Sequence, residues 1–363
     1  MIFDDQKFMA RALRLAELGR YSAHPNPCVG CVIVRQGKIV GEGYHVKAGD
    51  GHAEANALVQ AGESASESTV YVTLEPCSFH GRTPSCAEAL IKAAVSRVVA
   101  SSVDPDNRNA GRGFSKLREA GIVVDLQPSD SANRLIRGHS KRYLEGKPFV
   151  RLKLAMTLDG KTALNNGESK WITSEEARAD VQKLRAQSSA IVTGVQTVID
   201  DDPSLQVSGE LPGIRHRAEA ISLVRPVYIL DSNLRTPAGA RLLENENTVM
   251  VCVEGASRSD QRHEVIEISS DQGRVCLEKF VSTLASREHS EVLFECGATV
   301  GGAMIRAGLV DELITYAAPS LIGAGGRSLL NLPEIDRMSD LVNLSVSEVR
   351  MIGRDIRITA SPD

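Results

Sequence analysis

Four residues constrain this chain more than any others. His52-Ala53-Glu54 is followed by Pro76-Cys77 and then by Cys86. One imidazole and two thiolates make a donor set for tetrahedral zinc, and three protein ligands leave the fourth position open, as in a catalytic site. Glu54 stands two residues from His52 and need not be a ligand. In zinc deaminases the glutamate of an H-x-E motif shuttles protons between an activated water and a departing amine. Zinc suits this work because it lowers the pKa of water to about 7. The alternative is a buried histidine with two cysteines packed as small apolar residues. It leaves unexplained why ligands and carboxylate all fall at strand-to-helix turns, where sites form. Eight residues separate Cys77 from Cys86, whereas the short form of the motif has two.

The surrounding pattern is α/β. A helix is expected from Asp4 to Leu18, with Met9, Ala12, Leu13 and Ala16 at helical spacing and Gly19 as its stop. Strands over Val29–Val34 and Lys38–Gly43 flank Gln36-Gly37, a hairpin signal. Helices follow at His52–Ala61, Ala87–Ala94 and Gly113–Ala120, with strands at Val70–Leu74, Arg97–Ala100 and Ile122–Val124. Asp130–Leu144 reads as one helix, and Glu145-Gly146-Lys147-Pro148 then breaks the chain. We place the domain division there, giving units 1–147 and 148–363. Alternation resumes with strands at Phe149–Ala155, Ala190–Thr193, Val227–Leu230, Val249–Val253 and Val292–Phe294. Helices are expected near Ser174–Ala186, Val275–Ala285 and Thr299–Ala307, and a closing antiparallel pair at Asn343–Val349 and Asp355–Thr359. Strands alternating with helices argue for an α/β sandwich in each half. The stretch from Ser208 to Leu223 has no periodicity and reads as an irregular insertion.

Composition narrows the function. The formal charge is −4 and aromatic residues are 4% of the 363. Neither a basic footprint nor a supply of rings for stacking bases is present, which weighs against a deaminase acting on nucleic acid. No apolar run reaches the roughly 18 residues of a membrane span, and the acidic start is not a secretory signal. Seven cysteines cannot all pair, which points to a reducing, cytoplasmic setting. Cys28 and Cys31 form a Cys-x-x-Cys, but Cys31 opens an apolar strand and no second pair lies nearby, so core packing is the expectation. Asp104-Pro105-Asp106 with Gly111-x-Gly113 reads as a loop entering a helix, equally a cap with a hinge or a substrate contact.

The second half carries weaker local signals. Leu293-Phe294-Glu295-Cys296-Gly297 leaves a strand, and Gly297 to Gly302 opens a helix. Free N–H groups there suit a phosphate, although tight strand–helix packing explains the glycines equally well. Lys153, Asp159-Gly160-Lys161, Gly167 to Thr173 and Thr193 to Thr197 are further polar candidates. Asp200-Asp201-Asp202 reads as a helix end in a solvated turn, because no second oxygen cluster supports a hard cation. Trp171 reads as core.

Taken together, His24-Pro25-Asn26-Pro27-x-Val29-Gly30, His52-Ala53-Glu54, Thr73 to Ser78 and Gly81-Arg82-Thr83-Pro84-x-Cys86 resemble the bifunctional riboflavin-biosynthesis deaminase–reductase family, from about residue 8 to 360. The resemblance implies a cytidine-deaminase-like α/β/α domain and a dihydrofolate-reductase-like α/β domain. It implies one Zn2+ on His52, Cys77 and Cys86, Glu54 as the catalytic proton carrier, and NADPH in the second domain. Asn26, His45, His80 and Arg82 match positions that bind the deaminase substrate. Lys153, Ser169, Arg185, Leu205 and Glu295 match substrate positions of the reductase. Ala155, Trp171, Thr197, Asp201, Ser232, Gly297, Ala298, Thr299, Val300, Gly301, Gly302 and Ala303 match nucleotide positions. A homo-oligomer is also implied. Two positions depart from the family pattern. Phe79 stands where a histidine is usual, with His80 beside it. Ser208 replaces an arginine that meets the substrate phosphate, so that contact is lost or comes from elsewhere, with Arg215 and Arg217 as candidates.

Overall fold

A computed structural model of the chain describes all residues except 1, 82, 83, 209, 210, 212 and 257–261, and residues 2 and 3 by backbone alone. The chain forms two compact units, residues 1–146 with 213–223 and residues 147–212 with 224–363. The segment 213–223, expected to be irregular, holds a short helix and belongs to the first unit.

The first unit opens with α1 (Ile2–Ala16), β1 (Gly30–Arg35), β2 (Lys38–Tyr44), α2 (Ala53–Ala61) and β3 (Thr69–Val72). It continues with α3 (Cys86–Lys92), β4 (Arg97–Ala100), α4 (Arg112–Glu119), β5 (Val123–Leu126), α5 (Asp130–Leu135) and α6 (Arg137–Glu145). The sheet order is β2-β1-β3-β4-β5. Gln36 and Gly37 both have positive φ, 50° and 75°, as a two-residue hairpin between right-twisted strands requires. Strand alternation builds the layers. Val32 and Val34 face α1 with Phe8, Met9, Ala12 and Leu15, whereas Cys31 and Ile33 face Ala53, Ala57, Leu90, Phe114 and Leu117 on the other side. Cys31 is therefore core, as expected. Helix α2 lies directly on β2. A Cβ at Gly43 would stand 2.2 Å from Ala53 O, and one at Gly41 2.3 Å from Ala57 O. Two glycines thus set how closely the helix bearing Glu54 approaches the sheet. The expected single helix at 130–144 is two, broken at Ile136, whose φ of −110° and burial turn the chain.

After α6 the second unit begins with β6 (Phe149–Thr157), β7 (Lys161–Ala163), α7 (Glu175–Gln187), β8 (Ala190–Gly194) and α8 (Val195–Asp201). Helix α9 (Arg217–Ser222) is the segment that joins the first unit. Then come β9 (Val227–Leu230), β10 (Thr248–Val253), β11 (Glu264–Ile268), β12 (Ser270–Asp271), β13 (Arg274–Val275) and α10 (Leu277–Ser286). The chain ends with β14 (Glu291–Glu295), α11 (Ala298–Arg306), β15 (Glu312–Ala318), β16 (Arg327–Ser328), β17 (Leu344–Ile352) and β18 (Asp355–Pro362). Nine strands run in the order β11-β10-β9-β8-β14-β6-β15-β18-β17. The first seven are parallel, and β15, β18 and β17 pair antiparallel. Both faces of the parallel part are covered, as such sheets demand. Leu152, Val292 and Phe294 pack with α10 and α11, while Leu293, Ile314 and Tyr316 pack with α7. Strands β11 and β15 were not expected from the sequence. Among the described residues, no helix is long and apolar enough to cross a membrane.

Candidate active sites

In the first unit, helix starts carry the reactive side chains. His52 is the N-cap of α2, in extended backbone, and Glu54 lies in the first turn. Cys77 sits in the turn after β3, and Cys86 is the first residue of α3, whose N-cap Ser85 accepts from Glu88 N. His52 Nδ1 lies 3.7 Å from Cys77 Sγ and 3.3 Å from Cys86 Sγ, and all three donor atoms are within 4.8 Å of one another. A tetrahedral zinc with ordinary bond lengths separates its nitrogen and sulfur ligands by about 3.6 Å, so the donors fit the ion. Cys86 N donates to Cys77 Sγ at 3.2 Å. Hydrogen bonds from Cys86 and His52 pull the Cys77 thiol down to about 4, as a ligating thiolate requires. Glu54 is 3% exposed, and burial, partly offset by His52, pushes its carboxyl up to about 7.

His45 stands edge-on to His52, ring centroids 5.4 Å apart. Its Nδ1 faces Gly51 O at 3.2 Å and so carries the proton, leaving Nε2 to accept from Asn26 Nδ2 at 3.0 Å. Burial lowers the His45 pKa and keeps the ring neutral. Asn26 and His45 therefore stand beside the zinc donors. His80 does not join them. It is exposed and pairs with Glu88 at 3.2 Å, a carboxylate shared with Lys116. Arg82 lies outside the described residues. Phe79 lies under the Arg108 guanidinium, 4.9 Å from ring centroid to Cζ.

The second unit holds a cavity of about 1400 Å³ at the carboxyl ends of β8, β9 and β14, where open parallel sheets place their ligands. Ala155, Trp171, Thr197, Asp201, Ser232, Lys153, Ser169, Arg185, Leu205 and Glu295 all line it. So do Gly297, Ala298, Thr299, Val300 and Ala303 at the start of α11. Gly301 and Gly302 do not. A Cβ on Gly302 would meet Asn331 O at 2.2 Å, so these two glycines serve close packing. Trp171, expected in the core, is 68% exposed at the rim, with the Arg178 guanidinium 4.5 Å over its ring. Asp202 ends α8 in a left-handed turn, as the acidic run suggested. Asp201 accepts from Ser169 Oγ at 3.0 Å.

Glu295 is gripped by Arg185 through two hydrogen bonds, 2.6 and 3.0 Å. Burial raises its pKa and the Arg185 charge more than offsets this, so the carboxylate stays ionised. Lys153 Nζ lies 6.0 Å from the Tyr316 ring centroid, and burial lowers its pKa despite the Glu295 charge. Arg215 and Arg217, the expected substitutes for the lost arginine, fall in the first unit. The cavity of the second unit is lined by Arg178, Arg235, Arg241, Arg274 and Arg327. They come from separate helices, strands and connections, and no local pattern in the sequence marks them as a group.

Two family models divide the chain. Residues 3–102 match the cytidine and deoxycytidylate deaminase zinc-binding region, and residues 148–358 match the RibD C-terminal domain. The riboflavin biosynthesis protein RibD of Escherichia coli K12 is 44% identical over 361 residues, 97% of this chain and 98% of that one. RibD of Acinetobacter baumannii superposes with a TM-score of 0.91 at 41% identity, each chain fully covered. The Thermotoga maritima diaminohydroxyphosphoribosylaminopyrimidine deaminase/5-amino-6-(5-phosphoribosylamino)uracil reductase gives 0.86 at 28% identity over 99% of each.

Proposed function

The chain belongs to the riboflavin-biosynthesis deaminase–reductase family, a cytidine-deaminase-like unit joined to a dihydrofolate-reductase-like unit, and from that premise we propose how its own residues divide two consecutive reactions. It is a bifunctional enzyme of riboflavin biosynthesis. The first unit hydrolyses the 2-amino group of 2,5-diamino-6-ribosylamino-4(3H)-pyrimidinone 5′-phosphate. The second reduces the ribosyl group of the product to ribityl. The observation that carries the reading is the zinc-shaped donor set beside a buried carboxyl in a chain whose other unit builds a cavity around Lys153 and Glu295.

His52, Cys77 and Cys86 would hold zinc, which would supply Lewis-acid activation of water. Glu54 takes the proton from the attacking water and delivers it to the departing amine, which leaves as ammonia. Its raised pKa suits both directions near neutral pH. Asn26 and His45 orient the pyrimidine, the neutral His45 through a fixed tautomer.

NADPH bound in this cavity would supply the hydride of the second step. The N–H groups at the start of α11 suit its pyrophosphate. Arg235, Arg241 and Arg274, all exposed in the cavity lining, suit its 2′-phosphate. Lys153 holds the substrate through its ammonium, and Arg185 keeps Glu295 ionised and aimed. Trp171 and Arg178 close the rim.

Ammonia release and NADPH loss, followed together from the deaminase substrate, test the whole scheme. Ammonia first and NADPH loss second is the expected order. NADPH loss without ammonia would overturn it. A cytoplasmic homo-oligomer belongs to the same proposal. Edge strand β17 leaves Leu344, Val346, Val349 and Met351 exposed, as a subunit interface would. A monomer in sedimentation at micromolar concentration would remove that part.

A further inference from the structure

The connection between β4 and α4 has no part in the chemistry above, yet it is built against the turn that carries Cys77. Asn109 is fully buried in it. Its Oδ1 accepts from Ser78 N at 2.9 Å, and its Nδ2 donates to Pro76 O at 3.3 Å and to Asp104 Oδ2 at 3.2 Å. One carboxamide therefore spans the residues on both sides of Cys77. Its own backbone is fixed, since Asn109 N donates to Asp106 O at 2.8 Å and Arg112 N donates to Asn109 O at 2.6 Å. Behind it, the Glu75 carboxylate accepts from the N–H groups of Asp104, Gly111 and Gly113 at 3.1, 2.9 and 2.8 Å. A Cβ at Gly113 would stand 2.0 Å from Pro76 O, so the start of α4 is in backbone contact with the same turn.

We infer that Asn109 is a positioning residue for the zinc ligand Cys77, aiming Sγ at the metal by clamping the peptide groups of Pro76 and Ser78. A ligand on a turn is only as well placed as the peptides flanking it, and groups behind a metal ligand orient it by such hydrogen bonds. Asp104 and Glu75 then hold the clamp and the helix start in register with the turn. This rests on the zinc-deaminase reading of the first unit.

The test uses the full chain with Asn109→Leu, which keeps the branched shape of the side chain and removes both contacts to the turn. Zinc release to a chromogenic chelator is expected to speed up ~10- to 100-fold, the usual cost of losing such a partner. The absorption bands of the cobalt-substituted protein should shift, because the thiolate geometry changes. NADPH oxidation with the already deaminated substrate should stay at the wild-type rate, reporting an intact second unit. Arg108→Ala, an exposed change on the same loop, should leave zinc release unaltered. Asn109→Ala, which removes the carboxamide without bulk, is the second variant if leucine prevents folding. Wild-type zinc release and an unchanged cobalt spectrum in both Asn109 variants would overturn the inference. A wild-type chain that takes up neither metal would defeat the zinc reading itself, and the inference with it.

Discussion

The two candidate sites are built by opposite means. The deaminase centre draws its donors and its carboxyl from residues 52 to 86, two turns that enter helices α2 and α3. The reductase cavity draws its lining from Lys153 to Asn331, along strands and connections that meet only in the folded sheet. The first is a set of four side chains, of which Glu54 and Cys86 are buried, so each has one task. The second is large and open, so its contacts are shared among many groups. A change of residue type should therefore act as a switch in the first unit and as a graded adjustment in the second.

The sharpest test of that contrast is Glu54→Gln. Deamination should fall by roughly 10²- to 10⁴-fold, the usual worth of a placed proton carrier. Zinc content and reduction of the deaminated substrate should be retained, measured by metal analysis and NADPH absorbance. Retained deamination would remove Glu54 from its role.

Glu295→Gln should have the next effect. It leaves the Arg185 guanidinium facing a neutral amide in a mostly buried setting. Breaking such a pair typically costs on the order of 3 kcal/mol, so reductase kcat/KM should fall on the order of 10²-fold with ammonia release unchanged. An equal loss in both reactions would show that the two sites are not separable.

The third effect is on pH. Burial lowers the Lys153 pKa, so its ammonium is lost below the usual lysine range. The reductase KM for the phosphorylated substrate should rise on the alkaline side, and Lys153→Met should flatten that limb. A limb that persists in the variant belongs to another group.

The smallest effect is expected at the cavity rim. Arg274→Ala should weaken NADPH binding about 5- to 10-fold, read by calorimetry, and leave NADH binding nearly unchanged, because one exposed charge of several is removed. A loss as large as that of Glu295→Gln would mean that the cavity, too, depends on single contacts.

Legibility in the sequence follows the same contrast. Strands Arg97–Ala100 and Val227–Leu230 stand where their β-branched runs place them. Strand Glu312–Ala318 is not marked in the sequence, because a short apolar run ending in Ala317-Ala318 cannot be told from a buried helix segment by periodicity. Asp130–Leu144 looked continuous because helical spacing persists through Ile136, whose burial is a tertiary event. Trp171 reads as core on residue type alone, yet it is exposed, with the Arg178 guanidinium over its ring.

What the sequence by itself determined is the chemistry of the first unit. His52, Glu54, Cys77 and Cys86 lie close along the chain, and helix starts after short turns bring such residues together with little help. It also determined the α/β class, through the period of its apolar residues. Only the tertiary structure decided that Asn109 grips both sides of Cys77, that Arg215 and Arg217 belong to the first unit, and that scattered arginines line the cavity of the second. These relations join residues distant in sequence through a twisted sheet, and local spacing carries no record of which distant backbone a side chain will meet.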